Sequence, residues 1–242
     1  MAILHKGSRS LNVKASKYFL WSIILFLLPI AYWIYLFKFS DWSSFGNIYN
    51  YLPCIFFFMA YYYWRRAKIF RVGAKGEKQI LKHLKKYLPN QYRIFTNCRL
   101  NEKNCADEID ILVVGENGIF AIEVKNHNGF IRGSEEEDEW KQEKIGKHGK
   151  TYCNKMKNPI RQTKRHARNI AQYLRSQGIR RQWVEGILVF SNPNASVFVK
   201  TTKTKVFTSS EDVENYILNY EPSTEFSRDD FKRTIKRLRM LC

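Results

Sequence analysis

The chain has 242 residues, 45% of them hydrophobic, with 41 Lys and Arg against 22 Asp and Glu and a formal net charge of +19. That length suits one well-packed domain with an appendage, and the charge favours nucleic acid or an anionic membrane surface as partner without choosing between them. Cys54, Cys98, Cys105, Cys153 and Cys242 form no CxxC pair and no zinc-type spacing, which excludes a disulfide framework as an expectation and predicts free thiols in a reducing compartment.

Residues 1–17 are short, polar and basic, and are expected to form a cytoplasmic N-terminus. Tyr18 to Phe37 follows as twenty residues without a charge, enough for a helix to cross a hydrocarbon core of about 30 Å. A cleaved signal peptide does not fit, because the run is too long and no small-x-small site follows. Lys38 to Asn47 makes a short connection with Asp41 as its only acid. A second apolar run, 48–64, contains Asn50 and Pro53 and ends in Tyr61-Tyr62-Tyr63-Trp64, the composition of an interfacial belt. A second span is expected there, with a re-entrant or interfacial segment as the alternative.

Residues 1–64 hold five Lys/Arg and one acid, so four of the nineteen net positive charges lie there and fifteen in the remainder. Basic residues precede the first run and Arg65, Arg66, Lys68, Arg71 and Lys75 follow the second, while the loop between has almost none. A transmembrane hairpin over 18–64 with both ends in the cytoplasm is therefore expected, a multi-pass protein of the cell (inner) membrane. The basic stalk 65–72 would keep the soluble domain close to the bilayer and touch anionic lipid.

Gly73 to Leu88 reads as an amphipathic helix, with Ile80, Leu81, Leu84, Tyr87 and Leu88 in one stripe and Pro89 stopping it. At 100° per residue Glu77 falls in the middle of that stripe, so it either awaits a partner or metal, or is a first-turn acid favoured by the helix dipole. Tyr92 to Leu100 is a strand, and Asn101 to Ala106 a polar loop leading to Asp107 and Glu108, read as solvated acids.

Asp110 to Lys125 is the organising stretch, two apolar runs joined by Gly115-Glu116-Asn117-Gly118. Period two puts Glu123 and Lys125 on one face of the second strand, with Phe120, Ile122 and Val124 on the other. A Glu–Lys ion pair at a sheet edge satisfies that local pattern. Asp110, also inside an apolar run, extends it to two carboxylates and a lysine, a set suited to a magnesium ion that keeps several waters. The lysine could then orient an attacking water or stabilise charge developing on a phosphate.

Beyond the hairpin, Asn126 to Gly129 is a turn and His127 a surface or substrate-contacting side chain, since no second histidine has ligand spacing. Phe130 to Arg132 and Glu139 to Gln142 form another hairpin around the acidic run 135–139, read as an exposed turn. Lys141 to Lys157 is read as a basic loop, touching phosphates or simply solvated, with Trp140 and Tyr152 available to stack on a base. Asn158-Pro159 opens a helix to about Ser176, with Ile160, Thr163, Ala167, Ile170, Ala171 and Leu174 packing inward; periodicity by itself leaves Gln162 exposed. Short strands follow at 183–190, 197–199 and 206–207, then a helix capped by Ser210 and an amphipathic helix over 226–241. The chain has no internal repeat, Walker loop, dinucleotide glycine motif, HExxH or nucleophile elbow.

Asp110 followed after twelve residues by Glu123-Val124-Lys125 resembles the D…(D/E)xK signature of the PD-(D/E)XK nuclease superfamily, with Ile109 where the nominal proline would stand. GAKGEKQI at 73–80, DEIDILVV at 107–114, IEVKNHNG at 122–129, Trp140 and NPIRQ at 158–162 together resemble the nuclease-related domain, NERD. The resemblance implies an α/β, restriction-endonuclease-like fold: a mixed central sheet flanked by helices over 73–207, preceded by two transmembrane helices and followed by C-terminal helices over 208–242. It also implies a metal-dependent nuclease, a hydrolase acting on nucleic acid, DNA first. Asp110, Glu123 and Glu77 would hold Mg2+ or Mn2+, Lys125 would position the water and Gln162 would support it. The alternative keeps the fold without the chemistry: an inactive membrane-tethered module binding nucleic acid or anionic lipid.

Overall fold

The computed structural model describes residues 1–7, 11–39, 47–99, 108–146, 149–179, 183–222 and 226–241. The expected loop 101–106 with Asp107, and most of the connection after Lys38, lie outside the described residues. The chain divides into two compact units, 9–74 and a domain that joins 1–8 to 75–242.

In the first unit, helix α1 (Leu11–Phe39) contains the uncharged run, and among the described residues it is the one helix long and apolar enough to cross a membrane. Leu20, Phe26, Leu27 and Ile34 are each more than half exposed on it, an apolar surface of the kind that meets lipid or a partner. The second expected span is not such a helix, which corrects the expectation of two. Ile48–Cys54 winds as a 3-10 helix capped by the Asn47 side chain, and α2 (Ile55–Tyr87) starts only after it. Pro53 lacks an N–H and Asn50 is polar, so ten apolar-rich residues remain before Arg65, about 15 Å of α-helix against a core of about 30 Å.

Within that unit the two helices lie antiparallel. Tyr18 packs on Tyr63 and Phe70, Phe26 on Phe57, and Trp33 on Tyr51. Asn50 is satisfied internally, accepting from the Tyr32 hydroxyl at 2.9 Å and, through its carbonyl, from Trp33 Nε1 at 3.1 Å. The basic stretch 65–72 is helical, an uninterrupted part of α2.

The domain is built on a six-stranded mixed sheet. Its strands are β1 (Ile3–Lys6), β2 (Arg93–Arg99), β3 (Glu108–Gly115), β4 (Gly118–Lys125), β8 (Val184–Phe190) and β10 (Lys205–Phe207), in the order β1-β2-β3-β4-β8-β10. β2–β3 and β3–β4 are antiparallel; β1–β2, β4–β8 and β8–β10 are parallel. β4 is central and buried everywhere except at Lys125, which is why its sequence is nearly continuous in apolar residues.

Alternate residues of the sheet feed two cores. Ile80, Leu84 and Leu88 of α2 and Val213 and Ile217 of α4 (Ser210–Leu218) cover one face, over Ile111, Val113, Phe120 and Ile122. Ala167, Ile170 and Leu174 of α3 (Pro159–Ser176) and Leu238 of α5 (Arg228–Leu238) cover the other, over Leu112, Val114, Ile119 and Ala121. The result is a three-layer α/β architecture of the kind expected.

Five features differ from the sequence reading. Strand β1 arises from the segment read only as a short, basic N-terminus: Ala2 and Ile3 donate to the Lys85 and Tyr92 carbonyls, each at 3.2 Å, and Ala2 is buried. Most of the described part of the basic loop 141–157 is instead strand, β6 (Glu139–Ile145) and β7 (Thr151–Lys157), in a second sheet ordered β7-β6-β5-β9 with β5 (Gly129–Ser134) and β9 (Ala195–Lys200). Trp140, proposed to stack on a base, is fully buried in the core of that sheet and donates from Nε1 to the Ser134 carbonyl at 2.8 Å. Cys54 and Cys153 are free, but buried Cys98 is disulfide-bonded rather than a free thiol. The cap of α4 is Ser209, whose hydroxyl accepts from the Asp212 N–H, rather than Ser210.

Candidate active site

The site forms where β3 and β4 part. Their ladder ends at the pair Ile111–Ile122, so the next position on each strand, Asp110 and Glu123, stands at the opening. Ile109 and Ile111 should share a face by strict alternation, yet they enter opposite cores. Across from them on β2, Asn97 sits at φ 54°, a left-handed conformation that asparagine tolerates better than most residues. The Val124 N–H, past the end of the ladder, donates instead to Asp110 Oδ2 at 2.9 Å.

Glu123 is 2% exposed, and each of its oxygens faces a nitrogen of a basic side chain. Lys125 Nζ lies 2.5 Å from Oε1, and His166 Nδ1 lies 3.2 Å from Oε2. Lys125 Nζ also donates to Gln162 Oε1 at 3.0 Å. Gln162 is therefore part of the site and only partly exposed, although periodicity alone left it on the wet side.

Helix α3 is held in place at its start. Asn158 accepts from the Ile160 N–H at 2.9 Å as N-cap, while its amide donates to the carbonyls of Ser134, Glu135 and Glu137. The Asn-Pro pair thus caps the helix and ties it to the β5–β6 turn. That turn is not simply an exposed acidic run. The buried Glu135 carboxylate accepts from the Thr201 hydroxyl at 2.8 Å and the Thr202 N–H at 3.0 Å, and pairs with Lys164. Burial by itself would raise its pKa, but Lys164 and these hydrogen bonds hold it at about 2.

Glu77 comes from α2. Gly76 allows the close approach: a Cβ there would lie 2.7 Å from Asn126 Cβ and closer still to Ser191 Oγ. Because α2 begins at Ile55, Glu77 is deep inside a helix, and the first-turn dipole explanation for an acid at this position does not apply.

The electrostatics tie the three acids together. Burial, then the charge of Glu123, then that of Glu77 push the Asp110 carboxyl well above the ordinary carboxylate range, against the pull of Lys125 and the Val124 N–H. Burial would also raise Glu123, but the contacts with His166 and Lys125 outweigh it and hold that carboxyl below its ordinary value. Neighbouring like charges of this kind are what a divalent cation relieves, and two carboxylates with water could take Mg2+ or Mn2+. Among the described residues no group of three or more His, Cys, Asp or Glu is arranged to hold a metal. Asp110 and Glu123 are the two carboxylates that could take such an ion, and Glu77 adds its charge to the site.

Beside Gln162, Lys157, Arg161 and Arg165 line an open cleft that also includes Glu137, Asp138 and Glu139. Arg161 pairs with Asp138, and Lys155 lies 3.2 Å from Glu139, so part of the acidic turn is neutralised locally. His127 is half-buried near Lys125; burial first, then Lys125 and Lys144, keep its pKa below the ordinary histidine value. Sequence reasoning missed His166. It lies three residues after Thr163 and four before Ile170, inside the buried stripe, and four after Gln162; a histidine on that face was the available signal.

Residues 72–191, just under half of the chain, match the family model described as the nuclease-related domain, NERD. A nuclease-related domain is thus supported over the span that carries Glu77, Asp110, Glu123, Lys125, Gln162 and His166. An uncharacterized protein of Bacillus anthracis is similar, 31% identical over 106 residues, which is 43% of this chain and 48% of that protein. The chain therefore spans about half the length of the curated relative it matches. No solved structure gives a significant match.

Proposed function

We propose that the nuclease-related domain hydrolyses phosphodiester bonds of nucleic acid, DNA in the first instance, with Mg2+ or Mn2+ held by Asp110 and Glu123 in the PD-(D/E)XK manner. The observation that carries this reading is the position of Lys125, its Nζ fixed between Glu123 Oε1 and Gln162 Oε1 at the mouth where Asp110 and Glu123 part. An ammonium held by two acceptors is preorganised, so stabilising a phosphate oxygen or orienting a water requires little rearrangement. Glu77 adds negative potential that favours cation capture, and Lys157, Arg161 and Arg165 supply phosphate contacts along the adjoining cleft. The bound cation would supply Lewis acidity and a lowered pKa for the attacking water.

The apolar unit supports attachment to a membrane. Among the described residues α1 is the one helix long and apolar enough to make an excursion into a bilayer. The basic residues flanking that excursion, Lys14 and Lys17 before and Arg65, Arg66, Lys68 and Arg71 after, favour the cytoplasmic side and contact with anionic lipid.

The test is incubation of the detergent-solubilised full chain with supercoiled plasmid and with linear single-stranded DNA, in Mg2+, in Mn2+ and in chelator. Cation-dependent cleavage that is lost in Asp110→Ala and Lys125→Ala supports the proposal. The formal charge of +19 and the presence of fewer than three clustered donors among the described residues favour a second reading, a non-catalytic module. Cation-independent DNA or lipid binding with no product in either metal would establish that reading instead.

A further inference from the structure

We propose that His166 is a positioning residue that presents Nδ1–H to Glu123 Oε2 and fixes the rotation of that carboxylate for cation binding. The inference rests on the functional reading above and adds to it a residue outside the D…ExK and NPIRQ patterns. His166 and Glu123 are each 2% exposed, so bulk water cannot take over the contact. Nδ1 lies 3.2 Å from Oε2, a close buried polar contact that is not aligned as a hydrogen bond in this structure. An ionised carboxylate only accepts, so in this contact the proton lies on Nδ1.

The geometry repeats along both elements. Gln162 meets Lys125 and His166 meets Glu123. On α3 the two residues are four apart, a rise of about 6 Å, and on β4 their partners are two apart, about 6.6 Å. One helical face therefore braces the whole Glu123-Val124-Lys125 segment, Gln162 restraining the ammonium and His166 the carboxylate. Without His166, Glu123 would be held through Oε1 alone and could turn about its terminal bond, a broad torsion. Outer contacts that orient a ligand typically change metal affinity 10- to 100-fold when removed.

The experiment measures Mn2+ binding to the full chain by isothermal titration calorimetry, together with DNA cleavage, in wild type, His166→Leu and His166→Asn. Leucine fills comparable volume without a donor, whereas the asparagine amide nitrogen reaches close to the Nδ1 position. His166→Leu is expected to weaken Mn2+ binding about 10- to 100-fold and slow cleavage, and His166→Asn to stay within about threefold of wild type. Wild-type affinity in His166→Leu, or equal losses in both variants, overturns the positioning role while leaving the nuclease reading in place. Wild-type protein that binds no Mn2+ and cleaves nothing overturns both.

Discussion

Replacing Asp110 by Asn separates chemistry from stability. Asp110 and Glu123 stand one residue beyond the last paired positions, Ile111 and Ile122, and directly opposite Cβ atoms in a ladder would be about 5 Å apart. Two carboxylates about 6 Å apart repel by about 2.8 kcal/mol at an effective dielectric constant of about 20. Lys125 offsets part of this and Glu77 adds to it, leaving a net cost of about 1–2 kcal/mol. Asparagine removes the charge and keeps an oxygen to accept the Val124 N–H. In chelator at neutral pH the variant should therefore melt about 2–8 °C higher than wild type, while losing cleavage. The folded pKa of Asp110 lies above its unfolded value, so the native state loses stability as pH rises through the window between them. The advantage of Asn is full above that window and fades as pH falls toward about 4. Thermal unfolding of both proteins from pH 4 to 8 checks this. A lower midpoint for Asp110→Asn, or a gain that does not vary with pH, would refute the reasoning.

Three further perturbations test separate parts of the account. Lys125→Met should lower the cleavage rate at least about 100-fold, with some loss of thermal stability because Glu123 loses a buried partner; wild-type turnover would remove Lys125 from the chemistry. Gly76→Ala, which should help an ordinary helix by about 1 kcal/mol, should instead cost about 1–3 kcal/mol in chemical denaturation because its Cβ meets Asn126 and Ser191. A stabilised variant would show that α2 does not approach the sheet there. Glu135, held at about 2, contributes stability that is present above its unfolded value and is lost as pH falls toward 2. Glu135→Gln should therefore flatten the acid-unfolding curve between about pH 2 and 4.5, and an unchanged curve would mean that its hydrogen bonds contribute nothing net.

Much of the candidate site was legible because it sits on strongly patterned elements. The run from Asp110 to Lys125 could hardly be other than a hairpin, and charged residues inside it had to be explained. Pro159 and the apolar stripe marked α3 closely, and the GEK motif pointed to Glu77. What escaped the sequence reading depended on contacts distant along the chain. β1 is four residues long and finds its partner about ninety residues later, so no local period signals it. Glu135 looked like one member of a solvated acidic run until Thr201, Thr202 and Lys164 surrounded it. The second apolar run had the composition of a span, yet Pro53 diverted its first seven residues into a 3-10 helix. His166 was hidden by its neighbours, since a histidine within a buried stripe reads as packing until an acid is seen facing it.

The central claim is that Asp110 and Glu123 share one divalent cation beside Lys125. Anomalous diffraction from crystals of the full chain soaked in Mn2+ tests it most directly. The account predicts a manganese peak within bonding distance of both carboxylates, absent in Asp110→Asn crystals. A peak confined to the acidic turn at 135–139, or none in crystals that otherwise bind DNA, would contradict it.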